Sequence, residues 1–200
     1  MDKKIFSIKR DTLFIYLKSL IPYIIIASIV FLIGGIAGYY FSELYPSRAQ
    51  ELISLLREVY SPVFKESKIS QILFVFLKNG ITSFLTIALG VLFGIFPLII
   101  LLNNGEVLGM LASIVFRNYG IFYFFTGILT HGIVEIPCFL ISSAIGLKIG
   151  IVAIRKVLRK EVSVVNEINQ GLALFLILLI FLFIAAVIET LITPELLRIY

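Results

Sequence analysis

Residues 171–192 form an apolar run interrupted by a single acidic side chain, Glu189. About 20 apolar residues are enough to cross the hydrocarbon core of a bilayer as a helix. No water pairs with backbone N–H and C=O groups in that core, so a spanning segment must satisfy them internally, which favours the helix over open strands. Other apolar runs begin near Leu20, between Ile69 and Ile81, at Val107 and near His131. The chain is 60% hydrophobic with a mean hydropathy of +1.09, whereas soluble domains are about 45–50% apolar. The expected fold is all-α: a polytopic transmembrane bundle of about five spans with amphipathic interfacial helices. Five spans and short loops account for most of residues 1–200, so one integral membrane domain is expected.

Charge supports this reading. The formal net charge is +5, but the Lys and Arg residues flank apolar runs instead of forming a basic stripe interleaved with aromatics. Nucleic acid is therefore not an expected partner; the lipid bilayer is. Five basic residues fall within residues 1–19, and five more within 148–160. Both clusters favour the cytoplasmic side. With five spans, this puts the N-terminus in the cytoplasm and the C-terminus outside, in the cell membrane. Cys138 is the only cysteine, which excludes an intrachain disulfide and a thiolate metal cluster.

Residues 1–19 alternate basic and apolar side chains and read as an interfacial helix. Residues 43–79 read as an amphipathic extracytoplasmic segment, in which Ser47 is a candidate helix cap and Pro62 a breaker. Span 2 is expected to end near Leu102, with Pro97 inside it and Asn103-Asn104-Gly105-Glu106 as a turn. Span 3 is interrupted by Arg117-Asn118-Tyr119-Gly120, so residues 107–129 read as a broken crossing or a re-entrant hairpin. The charge bias favours the crossing. Gly34/Gly38, Gly90/Gly94 and Gly146/Gly150 have the spacing that lets helix backbones approach closely, within the chain or in a homodimer.

The candidate chemistry lies in Thr130-His-Gly-Ile-Val-Glu-Ile-Pro137. His131 and Glu135 stand four residues apart, on one face of a helix. The five-span arrangement brings Glu189, near the end of span 5 and ahead of Pro194, to a similar depth. Ionisable groups in a span are costly and mark functional sites by default. These three residues are also the candidate metal ligands. The open readings are a proton relay, a divalent metal site, a substrate contact, or a polar knot joining spans 4 and 5. A single histidine without H-E-x-x-H or a nucleophile elbow argues against an enzyme. No glycine-rich phosphate loop is present, and no cofactor is expected.

His131-Gly132-x-x-Glu135, followed by Gly146-Leu147-x-x-Gly150, resembles the signature of the stage II sporulation protein M family. So do Asn104-Gly105-x-x-x-x-Gly109 and the closing Ala185-Ala186-x-x-Glu189-x-x-x-Thr193-Pro194. The resemblance implies an integral membrane protein with about five spans. The family's namesake in sporulating bacteria is a membrane scaffold for peptidoglycan-degrading enzymes and is not itself the hydrolase. A scaffold or assembly protein with membrane or envelope partners is therefore the first expectation. A small transporter or ion-binding protein using His131, Glu135 and Glu189 is the alternative.

Overall fold

The computed structural model describes residues 10–198. Seven α-helices follow in order: α1 (Arg10–Leu44), α2 (Pro46–Tyr60), α3 (Lys68–Ala88), α4 (Ile95–Tyr119), α5 (Ile121–Val157), α6 (Val164–Leu191) and α7 (Thr193–Leu197). Five of them, α1, α3, α4, α5 and α6, are long and apolar enough to cross a membrane. This is the expected all-α bundle. Cross-helix contacts give the directions. Phe31 and Gly35 of α1 meet Gly105 and Gly109 of α4 in parallel register. Lys68 and Phe84 of α3 meet Thr190 and Phe175 of α6 in antiparallel register. Helices α1, α4 and α6 thus run one way, and α3 and α5 return.

Helix α5 is the axis. Of its most apolar stretch 67% is buried, against 17% for α1. Its glycines set the packing: a Cβ at Gly146 would overlap the carbonyl oxygen of Thr86, and one at Gly150 the backbone nitrogen of Gly94. On the other side of the bundle, a Cβ at Gly38 would overlap the Glu106 carbonyl, and one at Gly109 the Gly35 carbonyl. The Gly34/Gly38 face is therefore occupied by α4 within the chain.

Several boundaries differ from those expected. Residues 103–106 are not a turn; they lie inside the unbroken α4. Asn104 Nδ2 donates to the Ile100 carbonyl at 2.8 Å, and Gly105 admits the α1 backbone. The reversal lies earlier, at Leu92–Gly94, where Phe93 and Gly94 have φ of 59° and 76°. Pro97 then falls in the first turn of α4, where its missing N–H breaks no helical bond. Residues 107–129 are not one broken crossing either: the interruption at Arg117–Gly120 is a junction between two spans. Gly120, with φ 86°, ends α4 and opens α5, so residues 107–129 belong to two helices.

At the start of the chain, residues 10–19 continue directly into span 1 as α1 instead of forming a separate helix. Residues 1–9 of that expectation lie outside the described residues. Residues 68–79 belong to α3, which leaves 45–67 as the segment between spans. Ser47 does not cap α2, whose N-cap is Tyr45 ahead of Pro46. Ser67 and Ser163 do cap, accepting from the backbone N–H of Ser70 and Asn166 at 3.2 Å.

The end of the bundle near the basic cluster is tied by Lys148. Its ammonium pairs with Glu167 at 2.9 Å, donates to Ser19 Oγ at 2.7 Å and sits 4.2 Å from the centre of the Tyr16 ring. Helices α1, α5 and α6 meet there. At the opposite end, Ser113 donates to Glu43 at 2.7 Å, and Arg117 lies 3.4 Å from the same carboxylate, joining α4 to α1.

Candidate functional site

His131 lies ten residues into α5, about 15 Å from its first residue. Glu135 follows one turn deeper, about 6 Å along the axis. Glu189 lies two residues before the end of α6. One ligand atom from each of the three falls within 4.8 Å of the others. The structure thus brings together all three ionisable residues singled out in the sequence.

The end of α6 makes a second contribution. Thr193 opens α7, with Pro194 beside it, and its Oγ1 lies 3.4 Å from His131 Nδ1. The Thr193 hydroxyl donates to the Ile188 carbonyl at 3.4 Å. Thr193 thus engages Nδ1, and Nε2 is the ring nitrogen it leaves unengaged. Pro194 reads as a stop signal in the sequence. The structure adds Thr193 as an orienting contact for the histidine.

Helix α3 closes the other side. Lys78, Asn79, Thr82 and Ser83 face the three residues across a cavity of about 380 Å³, and α4 adds Asn103 and Asn104. This size falls within the range of small-ligand sites, roughly 300–1,000 Å³. Phe31, Phe139 and Leu182 supply apolar wall from α1, α5 and α6, so all five long helices line the space. Leu56 of α2 also reaches it. Thr82 donates to the Lys78 carbonyl at 2.9 Å. Asn79 is 7% exposed, and its amide lies against the Glu135 carboxyl group.

The cavity thus gathers one imidazole, two carboxyl groups and one lysine amine from three helices, and ionisable groups at membrane depth are costly unless they meet one another or a polar space.

The other motif residues divide by role. Asn104 and Gly132 line the cavity. Gly105, Gly109, Gly146 and Gly150 are points of helix contact away from it. Cys138, one turn beyond Glu135, packs against Leu178 and Leu182 as a small buried hydrophobe. Lys78 and Asn79 are not among the residues singled out in the sequence. Their place became definite only once α3 was seen to begin at Lys68.

Residues 27–194 match the model of the family described as Stage II sporulation protein M. No curated protein and no solved structure is significantly similar to the chain.

Proposed function

The chain belongs to the stage II sporulation protein M family, and from that premise we propose a non-enzymatic multi-pass membrane protein that binds a small polar solute or ion, as a small transporter does. The observation that carries this reading is the cavity. His131, Glu135, Glu189, Lys78 and three asparagines line about 380 Å³ of space. Ionisable residues that face an interior cavity mark ion and substrate paths in membrane proteins. The N-terminus and the basic cluster face the cytoplasm in this reading, and the C-terminus faces outside.

Cysteine labelling tests whether water fills the cavity. In a Cys138→Ala background, Asn104→Cys should react with a small membrane-impermeant thiol reagent. Ile33→Cys, on the outer apolar surface of α1, should not. Equal protection of both would remove the basis for the proposal.

A second reading, the membrane scaffold, is favoured by α2. Leu52, Leu55 and Val59 are exposed on this helix between two spans, a surface suited to a membrane or envelope partner. A photo-crosslinker at residue 55 should capture protein if the scaffold reading holds, and lipid alone if it does not.

A further inference from the structure

We propose that His131, Glu135 and Glu189 bind a first-row divalent transition-metal cation, and that Lys78 is the resident positive charge the ion displaces. The inference rests on the ligand-binding reading above and narrows it to one class of ligand.

The donor set comes first. One imidazole nitrogen and two carboxylates form a mixed N/O set, which suits Mn²⁺, Fe²⁺, Co²⁺ or Zn²⁺. Ca²⁺ and Mg²⁺ favour oxygen ligands alone. The spacing is close to that of a bound site. Tetrahedral ligands at bond lengths of about 2.0–2.2 Å stand roughly 3.3–3.6 Å apart, and the three ligand atoms here lie within 4.8 Å of one another. Side-chain rotations that bring them together by roughly 1 Å close the site.

The surroundings supply two further features of a metal centre. Ligating histidines hold their second nitrogen in a hydrogen bond that fixes the ring and its tautomer, and Thr193 does this for His131. Ligating carboxylates are in turn hydrogen-bonded, and the buried Asn79 amide lies beside Glu135 for that contact. The remaining cavity leaves room for the waters that three protein ligands require.

Lys78 lines the same cavity as Glu135 and Glu189, so its amine shares the space in which an ion would meet the two carboxyl groups. A divalent cation offsets both carboxylates, and the long lysine side chain can turn toward the asparagines and the cavity water. The ion and Lys78 therefore compete for the same carboxylates.

The test uses purified full-length protein, stripped with a chelator and titrated with Mn²⁺ and Co²⁺. Calorimetry reads affinity, and the visible absorption of Co²⁺ reads coordination. One saturable equivalent is expected. His131→Gln, Glu135→Gln and Glu189→Gln should each weaken binding at least tenfold, and Thr193→Val about tenfold. Lys78→Met should tighten it. Metal-free melting curves establish that each variant is folded. Lack of saturable binding by folded wild type, or binding that survives all three ligand substitutions, overturns the metal site. A Lys78→Met variant that binds more weakly than wild type overturns the displacement. The labelling of Asn104→Cys reads hydration independently, so failure of the metal site is distinguishable from failure of the cavity reading.

Discussion

Replacing Gly109 by alanine probes the contact that fixes α1 against α4. A Cβ at this position would overlap the Gly35 carbonyl oxygen, and would also lie 2.8 Å from both the Gly35 carbonyl carbon and the Tyr39 nitrogen. Favourable separations are about 3.5–4.0 Å, so the α1 backbone must withdraw by roughly 1 Å. A gap of that size forfeits about a quarter to a half of the attraction of each separated atom pair. Overpacking of this kind typically costs about 1–3 kcal/mol. For a chain of this length, that corresponds to a fall in melting temperature of roughly 2–12 °C. Cys138, the only cysteine and a buried one, gives the assay. A thiol-reactive fluorophore reports its exposure on heating in detergent. Gly127→Ala is the matched control, because its Cβ would meet only Leu197 side-chain carbons at 3.7 and 3.8 Å. Alanine is also the better helix former, by about 0.8–1.0 kcal/mol. Gly127→Ala should melt at or above wild type. If Gly109→Ala melts with wild type, or the two variants shift alike, the close approach of α1 and α4 is not what holds them together.

Two other expectations follow from the ends of the bundle. Lys148→Met strands Glu167, whose side chain is 11% exposed, and should cost about 3 kcal/mol; Lys148→Met with Glu167→Leu should recover most of it, and a double variant no more stable than the single one would refute the ion-pair explanation. With an impermeant thiol reagent on intact cells, Ser61→Cys should label from outside and Arg159→Cys only after permeabilisation, while labelling of both from one side would refute the orientation.

What could be read from the sequence follows from which physical rule dominates locally. The five spans were legible because a bilayer admits few alternatives to long apolar helices. The shared depth of Glu189 and the His131/Glu135 pair followed from span direction alone. The turn at Asn103–Glu106 was misplaced because Asn-Asn-Gly is turn chemistry where water is available. Within α4, Asn104 is satisfied by the Ile100 carbonyl one turn earlier and Gly105 is a point of helix contact, so no reversal is needed. The true reversal at Leu92–Gly94 carries its signal in Gly94 and Pro97, which read as helix-packing and kink residues as long as the helix was drawn through them. Lys78 and Asn79 were passed over because the start of α3 was uncertain by about three turns. Thr193 looked like punctuation before a proline, and only the path of α7 back toward His131 gives it a contact.

Cross-linking tests the convergence of α5 and α6 most directly. In a Cys138→Ala background, His131→Cys and Glu189→Cys are combined, with a protease site placed between Leu158 and Val162. The account predicts that a short bifunctional thiol cross-linker joins the two thiols, so that the cleaved halves stay together on a denaturing gel. A control pair, Ile133→Cys with Glu189→Cys, should separate, because Ile133 is 69% exposed on the outer surface of α5. Halves that separate for the His131/Glu189 pair, or that stay together equally for the control, would contradict the site.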